Sequence, residues 1–236
     1  MEKVVVLLRA EQPDDQWCER VRGPVADELL DLGVAGLSVN VRDSAVRDSL
    51  MTLTTLAPPV AAVIGVWVQQ SCGSQMAATL ETLAAECESL AAYLVTESVP
   101  IAPPDRLGER TPGFANVALL RRPADLDAET WLARWHLDHT PVAIATQSTF
   151  GYVQNAVVRP LTPGAPALDA IVEELFPLEA TRDLHAFFGA ADDADLGDRM
   201  NRMVASTSAF GANRDVDTVP TSRYELRSPF AAELRR

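Results

Sequence analysis

One succession of elements is written twice along the 236 residues, and that duplication narrows the fold more than any single motif. Apolar periodicity predicts a strand over Val4–Arg9, then a helix opened by Pro13 that runs to about Leu32, with Gly33 as its C-terminal cap. Strands are expected at Val34–Val41 and Val60–Val68, a helix at Ser74–Ser89 and a closing strand at Ala91–Val99. The order is β-α-β-β-α-β. The second half returns to it. A strand is expected at Phe114–Leu120, a helix over Asp127–Gln147 broken at Pro141, and strands at Phe150–Val158 and Leu168–Phe176. Helical segments at Leu178–Phe188 and Asp195–Phe210 and a strand at Val219–Leu226 complete it.

Short residue matches accompany the repeated order. Gly36-Leu37-Ser38-Val39-Asn40 resembles Gly151-Tyr152-Val153-Gln154-Asn155, Val6-Leu7-Leu8-Arg9 resembles Ala118-Leu119-Leu120-Arg121, and Gly23-Pro24-Val25-Ala26 resembles Thr140-Pro141-Val142-Ala143. Two β-α-β-β-α-β units are two ferredoxin-like modules, here expected over residues 1–104 and 112–230, with the Pro-rich stretch Pro100–Pro112 as a linker. Each unit leaves one sheet face bare, and the other half is the economical cover. The expected fold class is therefore α+β, a tandem repeat closed into a barrel-like pseudo-dimer, with a pocket between or beside the sheets.

Composition removes several function classes. The chain carries a net charge of −13 and no cluster of Lys and Arg, which argues against a nucleic-acid partner. Its longest apolar run, Val60 to Val68, is too short to span a membrane, and the N-terminus lacks the pattern of a signal peptide. Cys18, Cys72 and Cys87 are odd in number and lack metal-ligand spacing, which suits free, largely buried thiols in a reducing cytoplasm. Phosphate-binding glycine loops, a nucleophile elbow and a haem-attachment motif are all absent, so no cofactor is implied.

The second half resembles the EthD family of the dimeric α/β-barrel superfamily. The resemblance rests on Leu119-Leu120-Arg121-Arg122-Pro123, Trp131, Trp135, His139-Thr140-Pro141, Tyr152-Val153-Gln154-Asn155 and Asp169-Ala170-Ile171-Val172-Glu173. Thr140 and Ala170 stand where the family usually has glycine. The first half matches in element order alone, with Arg22 where His139 would be, so the site is expected to be single or strongly unequal between halves. Relatives by fold include cofactor-free monooxygenases, muconolactone isomerases, polyketide cyclases and haem-handling enzymes, and fold does not choose among them.

His139 is the expected acid-base group, since an unperturbed imidazole titrates near neutrality. Thr140-Pro141 is expected to restart the helix as cap and first residue, leaving His139 beside free backbone N–H groups; the alternative is that His139 merely caps the break. His136 shares its helix face but lacks further ligands, so no metal is expected. Trp131 and Trp135, four apart, form a packing stripe, of which Trp135 is also a candidate ligand wall. Alternation puts Tyr152 and Gln154 on one strand face and Asn155 on the other; Tyr152 is the candidate donor, and Gln154 and Asn155 candidates for orienting a ligand. Asp169 and Glu173 share a face of the next strand, where Glu173 is a candidate ligand-binding carboxylate and Arg121 or Arg122 the natural ion-pair partner. The expected function is binding of a small hydrophobic or aromatic molecule, with oxidoreductase or isomerase chemistry and no cofactor. A non-catalytic binding or accessory role, and a structural pseudo-dimer with a filled interior, are the alternatives. Duplication removes the need for a homodimer to complete a barrel and leaves homodimer formation open.

Overall fold

The structure, a computed structural model, describes residues 1–11 and 13–230. The first half supplies β1 (Glu2–Arg9), α1 (Asp15–Arg20), α2 (Ala26–Asp31), β2 (Gly36–Val41), β3 (Val60–Val68), α3 (Ser74–Ala84) and β4 (Ser89–Ile101). The second supplies β5 (Phe114–Leu120), α4 (Ala128–Ala133), α5 (Thr140–Thr146), β6 (Gly151–Pro160), β7 (Ala170–Phe176), α6 (Leu184–Phe188), α7 (Asp193–Phe210) and β8 (Asp217–Arg227). All eight strands close one antiparallel barrel in the order β1-β3-β2-β8-β5-β7-β6-β4. Each half is a four-stranded sheet, and the seams β2·β8 and β4·β6 join half to half. The barrel is the tandem ferredoxin-like architecture expected from the repeated element order.

Side-chain alternation sorts the strands into two faces. Val5, Leu7, Val63, Tyr93, Val117, Leu119, Ile171 and Val219 fill the barrel interior. Val4, Val6 and Leu8 face outward under α1–α3, where Trp17, Cys18, Leu29, Met76 and Leu83 complete a packed layer. Leu120, Tyr152, Ala170 and Val172 face outward in the second half, under Trp131, Trp135 and Phe210. Gly36 and Gly151 open equivalent strands, and a Cβ there would meet Pro229 Cδ at 2.7 Å or Leu175 Cδ1 at 2.6 Å, so close packing requires glycine at both.

Three expectations change. The Pro-rich stretch is no free linker. β4 runs on to Ile101, which pairs with Tyr152, and the amides of Gly108 and Thr111 donate to the carbonyls of Glu225 and Arg223 at 2.7 and 2.8 Å. Pro141 does not interrupt the helix either. Its missing N–H is absorbed in a π-helical turn, Arg134–His139, that joins α4 to α5, and Pro24 sits in the matching turn, Val21–Val25, of the first half. Thr140 consequently keeps helical backbone angles (φ −53°, ψ −46°) and donates its hydroxyl to the Trp135 carbonyl at 3.0 Å. There is no restarted helix end beside His139, and no set of free N–H groups. Finally, Cys72 is exposed, although Cys18 is buried.

Candidate functional site

Between the outer sheet face of the second half and its helices lies a mainly apolar cavity of about 300 Å³. That is at the lower end of the size of small-molecule sites, roughly 300–1,000 Å³. Its floor is the sheet. Asn116 of β5, Glu174 of β7 and Tyr152 of β6 are directly opposite one another across neighbouring strands, so they form one polar row through apolar surroundings. Its roof is helical, with Trp135 and His139 from the π-helical turn and Met203, Thr207 and Phe210 from α7. The rim belongs to the first half: Leu50, Met51 and Leu53 come from the polar segment between β2 and β3.

That segment is tied down on the second half. The Leu50 amide donates to the Thr181 carbonyl at 2.8 Å, Leu53 forms a bridge with Thr218, and the Thr55 hydroxyl donates to Asp217 at 3.0 Å. Asp217 is itself buried and paired with Arg121 at 2.8 Å. In the first half the corresponding space between sheet and helices is filled by the packed layer around Trp17, Cys18 and Leu29. Arg22, in place of His139, lies 5.1 Å from the Tyr224 ring centre.

His139 is buried, with its ring 4.9 Å from that of Phe210 and its Nδ1 2.9 Å from Ser206 Oγ. Burial without a charged partner lowers its pKa to about 4, so the imidazole is neutral near pH 7. Tyr152 is buried too, and desolvation, helped by the nearby Glu174 carboxylate, raises its pKa, so it stays a phenol. Desolvation lifts the pKa of Glu174, half-buried against the helices, to about 7. Three lining residues carry buried polar atoms without a partner among the described residues: Trp135 Nε1, Asn116 Oδ1 and Gln147 Oε1. Such atoms are costly to leave empty-handed, and here they gather around one space.

The structure brings His139, Tyr152 and Trp135 together at this cavity and separates the other expected site residues from it. Gln154 shares the face of Tyr152, but its amide bridges Thr140 at 2.8 Å and Ser98 at 3.1 Å. Asn155 and Glu173 point into the barrel, on the opposite sheet face. Asn155 donates to the Ile171 carbonyl at 3.0 Å. Glu173 accepts from Asn40 and from Arg223, both at 2.7 Å. Its partner is thus Arg223 of β8; Arg122 pairs with Asp169 and Arg121 with Asp217. The group that sequence reasoning passed over is Glu174, one residue along. It shares the face of Ala170 and Val172, both in the layer beneath the helices, a placement that strand alternation does not single out. Among the described residues no group of three metal-ligating side chains converges. His136 packs at a tilt against Trp135, ring centres 4.4 Å apart, and does not line the cavity.

Compared by sequence, the chain matches no protein-family model and no curated protein. Among solved structures, a protein described as anthrone oxidase-like is similar with a TM-score of 0.53 and 11% identity, over 99% of this chain and 96% of that one. A protein proposed to be a monooxygenase from Lactobacillus acidophilus NCFM has a TM-score of 0.47 at 10% identity, over 96% and 95% of the two chains. A chlorite dismutase from Candidatus Nitrospira defluvii has 0.44 at 14%, over 94% and 90%. Identities this low bear on fold alone, and the fold is that of the dimeric α/β-barrel, completed here within a single chain.

Proposed function

We propose that this chain is an EthD-like protein that binds a small, hydrophobic or aromatic organic molecule beneath α4–α7 and performs proton-transfer chemistry on it without a cofactor. The observation that carries the reading is the cavity itself. A mainly apolar space of about 300 Å³ is lined by a neutral imidazole, a phenol and several buried polar atoms that lack partners. A purely structural core would have closed this space, as the first half has done.

In this reading His139 is the general base. In the tautomer that carries its proton on Nδ1, beside Ser206 Oγ, its Nε2 accepts a proton from an enolisable C–H or a phenolic O–H of the bound molecule. Burial disfavours the imidazolium, and the anion formed beside it offsets that penalty. Tyr152 donates to the oxygen on which charge develops, and Trp135 holds the ring plane. Return of the proton to another carbon is an isomerisation; dioxygen as co-reactant would turn the same enolate towards oxidation. The name of the anthrone oxidase-like neighbour is compatible with the second outcome, and the site does not depend on it.

The test begins with thermal-shift screening of aromatic and lactone compounds, since ligand binding raises apparent stability by mass action. For a compound that is turned over, His139→Ala is expected to abolish turnover while circular dichroism stays native. Unchanged turnover sinks the assignment. Binding without any turnover across the panel would favour the accessory, non-catalytic role.

A further inference from the structure

The cavity has a charge pattern that limits what it admits, an inference that rests on the binding role just proposed. Among the described residues none that lines it is Lys or Arg, its histidine is held neutral, and the one acid is Glu174. Glu174 lies at the centre of the polar row, with Asn116 opposite on one side and Tyr152 on the other. An anionic ligand would leave water, find no counter-charge and face a carboxylate. A neutral ligand with a hydroxyl meets the reverse situation. Asn116 Oδ1 and Gln147 Oε1 are buried acceptors without donors among the described residues, and the half-buried Glu174 carboxylate lines the same space. Trp135 Nε1 offers one donor in return.

We infer that Glu174 is a specificity-determining residue, which makes the cavity selective for uncharged hydroxylated aromatic molecules and excludes their carboxylate counterparts. The row Asn116–Glu174–Tyr152 meets the hydroxyl group, and the apolar walls of Val172, Leu120 and Phe210 take the ring.

The experiment compares 2-naphthol with 2-naphthoate by isothermal titration calorimetry on the full chain at pH 8. The wild-type protein is expected to bind 2-naphthol and to bind 2-naphthoate at least about tenfold more weakly. Glu174→Gln, which keeps the shape and removes the charge, should narrow that gap to about threefold or less. The wild-type protein should show the same narrowing between pH 8 and pH 6. Naphthoate stays ionised over that range, and Glu174 is the lining residue whose charge changes there, because His139 remains neutral. Equal affinity for the two ligands at pH 8 overturns the inference and leaves the binding role intact. A gap that neither the variant nor pH alters also overturns it. Failure of both ligands to bind the wild-type protein removes the aromatic-binding role and this inference with it.

Discussion

His139 and Glu174 hold opposite positions on the pH axis, because burial acts on a base and an acid with opposite sign. The folded pKa of His139, about 4, lies below its usual 6.5, so the unfolded chain binds the extra proton and stability is lost as pH falls from about 6.5 to 4. The folded pKa of Glu174, about 7, lies above its usual 4.5, so here the folded chain binds the extra proton. Stability is then present below about pH 4.5 and lost as pH rises towards 7. Glu174→Gln should therefore stabilise the protein at pH 8, by on the order of 2–3 kcal/mol, and have little effect at pH 4.5. Thermal denaturation at the two pH values checks this; a gain of equal size at both would mean that the carboxylate carries no desolvation cost. The two adjacent glutamates also mark where sequence reading stops. Glu173 and Glu174 each have apolar neighbours at two-residue spacing, Ile171 and Leu175 or Val172 and Phe176, so alternation alone does not say which acid faces the helices.

The helix that carries His139 was readable in its extent and misread in its detail. Its π-helical turn keeps the chain helical through Pro141, and the Thr140 hydroxyl and amide both turn to the Trp135 carbonyl. A restarted helix and a π-helical turn share the same Pro signal, and side-chain hydrogen bonds too distant to infer decide between them. The segment between β2 and β3 has no periodicity to read, yet it forms the rim of the cavity. Its stretch from Leu53 to Thr55 is exposed and held to β8 by hydrogen bonds, which places it towards the low-stability end of the molecule. Thr55→Val removes one tie to Asp217 and should weaken the local structure by about 0.5–1.5 kcal/mol, which corresponds to roughly twofold to thirteenfold faster hydrogen exchange. Exchange mass spectrometry should find the increase at Leu50 and Leu53 and none in β5–β7. A uniform increase across the barrel would show that the segment is part of the global core.

The closed barrel was readable because two weak signals, element order and short matches, agreed on one architecture. What joins its halves was not, since the partners are far apart in sequence. Inside the barrel Asn40 of β2, from the first half, and Arg223 of β8 both hold Glu173 of β7. Arg223 is buried, with Glu225 as its second acidic contact at 3.4 Å. Glu173→Ala would leave that guanidinium without its nearer partner and should cost about 3–5 kcal/mol in urea unfolding. The same variant, where it folds, should bind ligands of the cavity unchanged, because Glu173 faces the other side of the sheet. Weakened binding at native stability would instead connect the interior to the cavity.

The rim residues Leu50, Met51 and Leu53 give this arrangement a consequence for how such a protein diversifies. The chemistry-bearing groups all lie on the second half, whereas part of the entrance is drawn from the first. Substitutions between β2 and β3 would thus reshape the rim without touching His139, Tyr152 or Glu174. In a barrel of two halves with like element order, the half whose own space is packed full supplies part of the rim of its neighbour's cavity.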